Sequence, residues 1–550
     1  MIESRWERVR ALEKVSIALI FVYSFFGIFM MAIAPRVPYA DAWRFLANFL
    51  IRGFPRDVLT PDNGHHELIP NVIRVTELHL LHANQLLQIT SGIGFLLAAL
   101  WIGWRIIREL PTSAARVAGM LALVLGLLWL GNERALSHAN ETVHAYSIVF
   151  FMMLGMSFLM VDRPSPWRLI GASLCGLMSA FCFGSGIAVF AAFAAVLFFG
   201  RGDIKSWLIL FSGAGLTLWL LHLTGSSSGA LIFAPGRQLY AFVSWLSGPA
   251  IYVGWPVLDP PVSNNLPGRL QFIGGLMGQM YQAAFGSVML PQLPQLCLGA
   301  LGIAWYGTEV WRAWRRPTPV SRMGVGLASF SLAVAGLIAI VRYPYFLAHP
   351  DQLLAPRYIV WSSLFWCGLL VAMIGRSRAW SRGPQVVLLF ALILLPSELW
   401  MWRLADGMRI TAERNAVAAT MGIVDGTEGH GESQPGDIAK ALPLLKAEGA
   451  AMFALPEARL LGQALVDGTH VRVATRDEEV VPVENLIGPT GRKIVFSAKV
   501  DQDRLLLVDP DGVVRGIAMR DATKRRNHWV GWMSGQAPLG PPTVFALSDN

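Results

Sequence analysis

The strongest constraint on this 550-residue sequence is a series of apolar segments, each close to the length that crosses a lipid bilayer as an α-helix. Such a crossing needs about 20 apolar residues, whereas a membrane β-barrel shows segments of about 10 residues with alternating polarity. Only 15% of the residues are charged, against about 25% in a soluble domain. We therefore predict a polytopic α-helical membrane protein with about 11–13 transmembrane helices.

The extent of each apolar segment defines the predicted spans. They cover residues 15–34, 86–104, 117–131, 146–161, 167–183, 185–200, 206–223, 238–257, 270–289, 294–313, 323–342, 356–375 and 384–402. The segments 238–257 and 270–289 are interrupted by Gly, Pro and Gln, which also fits re-entrant or interfacial segments. Leaving out both keeps the parity, so the two ends of the membrane region lie on opposite sides in either case.

Basic residues cluster in short loops at alternate ends of these spans, as in "RIIREL" and "WRAWRRP". Short cytoplasmic loops are enriched in Lys and Arg in this way. The first apolar segment is long for a signal peptide, and its small-residue triplet "AIA" is followed by Pro35, a poor cleavage junction. We expect a bacterial inner-membrane protein with a retained first helix, a cytoplasmic N-terminus and a periplasmic C-terminal domain.

The formal net charge of +9 arises largely from these loops, so it does not predict a nucleic-acid partner. The four cysteines lie within apolar segments, at positions 175, 182, 297 and 367. Their spacing fits neither a disulfide framework nor a zinc site.

The composition changes near residue 403, which divides the chain into a transmembrane module, 1–402, and a soluble domain, 403–550. Within the second part, 403–424 and 437–466 are predicted helices on either side of a Gly-rich loop. From 470 to 550 the pattern is that of strands, and "RLLLVDPDGVVRGIAM" predicts a β-hairpin. We expect an α+β domain that ends in a β-sandwich, with Trp529 and Trp532 either in its core or stacked on sugar faces.

The polar outer loop 35–85 carries the first candidate site residue, Asp41, in "VPYADAWRFLANFL". Apolar residues recur at helical spacing after it, which predicts a helix at 42–52 that lies in the membrane interface. Asp41 then has two compatible roles. It can cap the helix, or it can serve as a general base held over the outer leaflet.

The same outer loop contains "DNGHHELIP" and, shortly after it, Arg74. A metal site is one interpretation of this segment, but the HExxH spacing of zinc enzymes is absent. The other interpretations are an ordinary loop and hydrogen bonding to a polar substrate. We predict His65, His66 and Arg74 as substrate-binding residues and place Glu67 with Asp41 in the catalytic set, and we expect no bound metal.

A second outer loop, "GNERALSHANETVHAYS", contributes Glu141 and His144 as further substrate-binding candidates, although for each residue taken singly we favour the alternative of a solvated loop. Arg342 and Arg357 lie at the outer ends of two consecutive predicted spans. Ionisable groups at membrane depth are costly and usually functional, and the guanidinium fork fits phosphate oxygens. The alternative for both arginines is snorkelling or pairing with a carboxylate.

Four segments together resemble bacterial integral-membrane glycosyltransferases of the GT-C superfamily, over roughly residues 10–402. They are "YADAW", "NGHHELIPNVI", "SAFCFGSGIAVF" and "APRYIVWSSLFW". The resemblance implies a GT-C-like fold and transfer of a sugar from a polyprenyl-phosphate donor to a glycan, lipid or protein hydroxyl on the outer face of the membrane. It implies catalysis by Asp41 and phosphate binding by Arg357 and Tyr358. The paired-acid metal motif of oligosaccharyltransferase-like members is replaced here by "DAW", so we expect no divalent metal and no cofactor beyond the lipid-linked donor.

Two other functions fit parts of this pattern. An O-antigen polymerase or ligase also acts on lipid-linked glycans, but such enzymes resemble one another in carrying their Arg and His residues in a large, late outer loop. A non-enzymatic flippase or transporter of lipid-linked sugars would show inverted repeats with broken helices in matching halves. We see no such symmetry in the sequence.

Overall fold

The protein is described here from a computed structural model. It describes residues 2–62, 64–224, 231–254, 271–272, 275–276, 278–280, 283, 293–375, 382–428, 433–465, 470–522, 527–535 and 540–547. By their internal contacts these residues form two compact units. The first contains 1–34, 59–70 and 89–405, and the second contains 35–58, 71–88 and 406–550.

Helices account for most of the described chain. The α-helices are Ile2–Ala32, Ala42–Arg52, Arg56–Leu59, Leu68–Leu81, Leu86–Ile107, Ser113–Leu128, Glu133–Ser137, Ala139–Leu159, Pro166–Ala180, Val189–Phe199, Ile204–Leu223, Pro235–Leu246, Gly248–Tyr252, Leu293–Arg315, Pro319–Val341, Tyr343–Ala348, Ile359–Gly375, Gly383–Thr420, Pro435–Glu448 and Pro456–Arg459. The 3₁₀ helices are Leu130–Asn132, Gly184–Ala188, Pro350–Leu354, Pro356–Tyr358 and Ala451–Ala454.

Within the residues described, eight helical segments are long and apolar enough to cross a membrane. They are Arg10–Ala32, Leu86–Ile107, Ser113–Ser137, Ala139–Leu159, Ile204–Leu223, Pro319–Val341, Pro356–Gly375 and Gly383–Thr420. Each of them overlaps a predicted span. The prediction of a polytopic helical membrane protein is therefore confirmed at this level.

Several other predicted spans are helical but fall short of these criteria. Residues 167–183 and 185–200 correspond to shorter helices. The described part of the predicted span 238–257 contains two short helices separated at Ser247, and 270–289 lies mostly outside the described residues. Glu309 and two arginines lower the hydropathy of the helix that matches 294–313.

The centre of the first unit is the closely packed helix pair Pro319–Val341 and Ile359–Gly375. Gly324 and Gly368 make this approach possible. A Cβ atom on Gly324 would lie 2.3 Å from the backbone nitrogen of Ala372, and one on Gly368 would lie 2.5 Å from the carbonyl oxygen of Gly324. Two backbones therefore meet where a larger side chain would keep them apart.

In the second unit, helix Ala42–Arg52 has the predicted bounds but a different environment from the predicted one. It packs against helix Pro435–Glu448, and Phe45, Leu46 and Phe49 are buried. The apolar face that we expected to lie in the membrane interface is therefore covered by protein. A local pattern gives the width of an apolar face but not the partner that covers it.

The C-terminal strands form one antiparallel sheet instead of the two packed sheets of the predicted sandwich. The strands are β1 His470–Arg472, β2 Arg476–Val483, β3 Gly491–Ser497, β4 Arg504–Val508, β5 Val514–Arg520, β6 His528–Met533 and β7 Thr543–Leu547. Their order is β1-β7-β4-β5-β6-β3-β2. The predicted hairpin is present as the β4–β5 pair.

Helical segments cover the face of this sheet that a second sheet would cover in a sandwich. Trp532 and Ile517 pack with Val417 and Ala418 from the end of helix Gly383–Thr420. Trp529 lies on the opposite face and contacts Phe496. Both tryptophans are fully buried, so they are core residues, and the interpretation as a sugar-stacking surface is wrong.

The predicted helix 437–466 ends much earlier, at Glu448. Gly449 follows it in the left-handed conformation, with φ 62° and ψ 35°, which glycine adopts without the cost of a Cβ clash. Its backbone N–H donates to the carbonyl oxygens of Leu445 and Lys446 and closes the last turn. The chain continues as two single-turn helices instead of one long helix.

Candidate functional site

The candidate site in the first unit begins with a tight turn that presents His65. Asp62 and His65 exchange two backbone hydrogen bonds, of 3.0 Å and 2.8 Å. Gly64 lies within this turn at φ +77°, a conformation that side chains rarely adopt. The two backbone hydrogen bonds between Asp62 and His65 therefore close a turn with the His65 side chain at its end.

His65 is bound by Arg342, which follows the last residue of helix Pro319–Val341. Arg342 Nη2 donates to His65 Nε2 at 2.5 Å. Burial, and then the positive charge of Arg342, lowers the pKa of His65 from 6.5 to about 3. His65 is therefore neutral at physiological pH, and its proton is on Nδ1 because Nε2 accepts.

Phe183 connects His65 to a second histidine. The centre of its ring lies 4.4 Å from the ring of His65 and 4.4 Å from the ring of His144. The next residue, Gly184, leaves room for His65, because a Cβ there would lie 2.5 Å from His65 Nδ1. This segment is one of the four that carry the family resemblance, yet none of its residues is a predicted site residue.

His144 belongs to a buried ionic cluster on helices Glu133–Ser137 and Ala139–Leu159. Its Nε2 lies 2.9 Å from Oε2 of Glu141, and the other carboxylate oxygen of Glu141 lies 3.3 Å from the Arg134 guanidinium. These side chains are 4–13% exposed. The solvated-loop interpretation of this segment is therefore wrong.

His66 and Glu67 follow His65 and point into protein. His66 Nε2 lies 3.1 Å from the Thr224 hydroxyl, its ring contacts Phe181, and burial lowers its pKa. Glu67 is 4% exposed. The three consecutive polar residues thus have different surroundings, and His65 is the one that contacts Arg342.

Arg357 and Tyr358 form a separate cationic group at the start of helix Ile359–Gly375. The Arg357 guanidinium donates to Gln352 Oε1 at 3.0 Å. It also lies 5.1 Å from the ring centre of Tyr358 and 5.9 Å from that of Tyr345. Two aromatic faces therefore fix the orientation of this planar cation.

Asp41 and Arg74 belong to the second unit. Asp41 occupies the position before helix Ala42–Arg52, yet its side chain makes no capping hydrogen bond. Its carboxylate pairs instead with Arg44 at 2.7 Å and is 44% exposed. The capping role is therefore wrong, although the position at the helix start is as predicted.

Arg74 is buried and acts within the second unit. Its guanidinium stacks on Phe45 at 4.5 Å from the ring centre, and it donates to Asn71 at 2.9 Å. Arg74 is 3% exposed. These contacts describe a packing role for Arg74, and the structure adds no observation that points to a substrate.

The arrangement in the first unit can bind an anion beside a neutral polar group. Arg342 supplies charged donors, whereas Glu141 and His144 supply a carboxylate and an imidazole. Across the described ranges, no group of three or more His, Cys, Asp or Glu residues is arranged to hold a metal ion. Comparison of the sequence with models of known protein families, and with curated protein sequences, finds no match.

Proposed function

We propose that this protein is a glycosyltransferase that uses a polyprenyl-phosphate sugar as donor. The observation that carries the proposal is the contact between Arg342, at the end of an apolar helix, and His65, in a polar turn, next to the buried Glu141–His144 pair. A lipid-phosphate donor needs a cationic group near the headgroup plane and polar groups for its sugar. An apolar tail is accommodated by helices whose surfaces are themselves apolar.

In the proposed reaction, the acceptor hydroxyl oxygen forms a bond to the anomeric carbon, and the bond between that carbon and the phosphate oxygen breaks. Asp41 takes the hydroxyl proton as general base. The electron pair of the broken bond leaves with polyprenyl phosphate. Arg342, Arg357 and Tyr358 would bind this phosphate and stabilise the charge that grows on it.

The proposal includes a location and a set of partners. The acceptor is a glycan, a lipid or a protein hydroxyl on the periplasmic face of a bacterial inner membrane, and membrane lipids surround the apolar helices. Glu67 is the second proposed catalytic carboxylate, and His66 is a proposed substrate contact. The reaction as written needs neither a metal nor a nucleotide.

The test uses the full-length protein in proteoliposomes with a panel of tritiated polyprenyl-phosphate hexoses and pentoses. An extract of bacterial envelope lipids and glycans serves as acceptor. Transfer of label to the acceptor, absent with heat-treated protein, is the expected result. Movement of labelled donor between the leaflets without any transfer would instead identify a transporter.

A further inference from the structure

The hydrogen-bond partner of His144 determines which of its ring nitrogens carries the proton. His144 Nε2 lies 2.9 Å from Glu141, and Glu141 also pairs with Arg134 at 3.3 Å. A carboxylate held between a guanidinium and an imidazole can only accept, so Nε2 carries the proton and donates it to this bond. In the neutral imidazole the other nitrogen, Nδ1, has a lone pair and is an acceptor.

That acceptor has no partner within the protein. His144 is 5% exposed, and its Nδ1 atom is buried without a hydrogen bond to any residue that the structure describes. Buried polar atoms are nearly always paired in folded proteins, because an unpaired one has lost its bond to water without replacement. An unpaired acceptor at a candidate site therefore lacks a donor, and a ligand hydroxyl is a group that can supply one.

The groups around His65, the other histidine that contacts Phe183, are hydrogen-bond donors instead of acceptors. His65 accepts from Arg342 through Nε2 and so has its proton on Nδ1. Arg342 has only donors. Phe183 contacts both histidine rings, so one aromatic side chain lies between a donor-rich group suited to an anion and an acceptor suited to a hydroxyl.

Two residues that directly follow Arg342 and Gly184 in the sequence also carry a buried polar atom without a partner among the described residues. Tyr343 follows Arg342, and Ser185 follows Gly184. Among the described residues, neither hydroxyl has a hydrogen-bond partner, and both oxygen atoms are buried. A ligand with several hydroxyl groups would satisfy such a set better than a phosphate alone.

We propose that His144 Nδ1 accepts a hydrogen bond from a hydroxyl of the donor sugar, so that the Glu141–His144 pair recognises the sugar while Arg342 recognises the phosphate. This inference rests on the proposed function and assigns a specificity-determining role within it. The ligand hydroxyl is the donor in this bond, so a sugar fits at His144 and a second anion does not.

Two substitutions separate this role from simple packing. Glutamine places its amide nitrogen where Nε2 lies, so His144→Gln keeps the bond to Glu141 and loses the acceptor at Nδ1. Asparagine places its amide oxygen where Nδ1 lies, so His144→Asn keeps the acceptor and loses the bond to Glu141. A structural histidine tolerates the first change better, and a sugar-binding histidine tolerates the second better.

The measurement is the affinity of the full-length protein in nanodiscs for two probes, polyprenyl-phosphate glucose and polyprenyl phosphate without a sugar. Mannose- and galactose-bearing probes extend the comparison if glucose adds no affinity. For the wild type we expect one sugar to add about 3- to 10-fold in affinity, the range of one hydrogen bond. His144→Gln should abolish this difference, His144→Asn should retain most of it, and Arg342→Gln should weaken both probes.

The inference is overturned if His144→Gln keeps the sugar-dependent difference, if both His144 variants lose it equally, or if no sugar adds affinity. Failure of the proposed function has a separate signature. The wild type would then bind the sugar-bearing probe in a His144-dependent way and transfer nothing to any acceptor.

Discussion

The guanidinium of Arg342 lies 2.5 Å from the imidazole of His65, although 277 positions separate the two residues in the chain. Two groups that can both carry positive charge are close here because one of them is neutral. Arg342 cannot lose its proton in a protein, so His65 must be the acceptor. This relationship connects a turn between the first two candidate spans to the end of the candidate span Pro319–Val341.

Gly184 supports this contact, and we predict that Gly184→Ala disrupts it. The added Cβ would lie 2.5 Å from His65 Nδ1, so the imidazole must shift away from Arg342. We expect donor affinity to fall about 10-fold, since charge-assisted bonds are worth roughly 1.5–3 kcal/mol. Gly336→Ala is the matched control, because a Cβ there meets nothing within 4 Å. Equal affinity in the two variants would contradict the role assigned to Gly184.

Asp41→Asn tests the proposed general base. The exposed Asp41–Arg44 pair adds little stability, as is usual for surface ion pairs, so expression and melting temperature should be nearly unchanged. If Asp41 takes the acceptor proton, turnover should fall by a factor of roughly 100 to 10,000. Arg44→Gln is the control, because it breaks the same pair and keeps the carboxylate. Similar turnover in both variants would remove Asp41 from the mechanism.

Arg357→Lys should weaken donor binding while it preserves the charge. Lysine has neither the planar fork nor the flat surface that stacks on Tyr345 and Tyr358. We expect the dissociation constant for polyprenyl phosphate to rise about 10-fold, equivalent to 1.4 kcal/mol. Arg312→Lys, at a partly exposed arginine that pairs with Glu309, provides the control. An unchanged dissociation constant would argue that Arg357 has only a structural role.

The lowered pKa of His65 predicts a pH dependence of stability. Between pH 3 and pH 6.5 the unfolded chain binds a proton at His65 and the folded protein does not. Acidification through this window therefore favours the unfolded chain, by at most about 1.4 kcal/mol per pH unit. We expect the melting temperature to fall less from pH 6.5 to pH 4 in His65→Gln than in the wild type. Parallel profiles would mean that His65 is not buried in neutral form.

Trp532→Phe should destabilise the second unit without changing the affinity of the protein for the donor. The Trp532 indole donates to the carboxylate of Asp425 at 3.0 Å, and both residues are buried. Loss of this donor leaves a buried carboxylate under-satisfied, at a cost of about 1–3 kcal/mol or more. Trp529→Phe, which loses a bond to the neutral carbonyl of Ala498, should cost less. The thermal unfolding of the full-length protein and its donor affinity are the two measurements.

The features that the sequence predicts correctly are local ones. The bounds of helix Ala42–Arg52 follow from its own apolar spacing, and the β4–β5 hairpin follows from the turn residues between its strands. The apolar segments likewise predict the candidate spans. In each case the information lies within about 20 neighbouring residues.

The features that the sequence does not predict depend on distant parts of the chain. The strand pattern after 470 is the same for a sandwich and for one sheet covered by helices, because alternation shows that a strand face is buried but not what covers it. The Phe183 contact with His65 and His144 joins three segments, and no local signal marks it. The sequence contains one hint of this contact, the pair Phe183–Gly184 where two predicted spans meet, because glycine leaves room for a neighbouring group.

The second unit is assembled from segments that leave the ribosome at very different times. Helix Ala42–Arg52 is made early, and its packing partner Pro435–Glu448 follows several hundred residues later. At about 5–20 residues per second this interval is on the order of 20–80 s. During that time Phe45, Leu46 and Phe49 have no partner from Pro435–Glu448, and the boundary between lipid headgroups and acyl chains can shelter them. The amphipathic pattern of this helix thus serves the chain during its synthesis as well as in the finished fold.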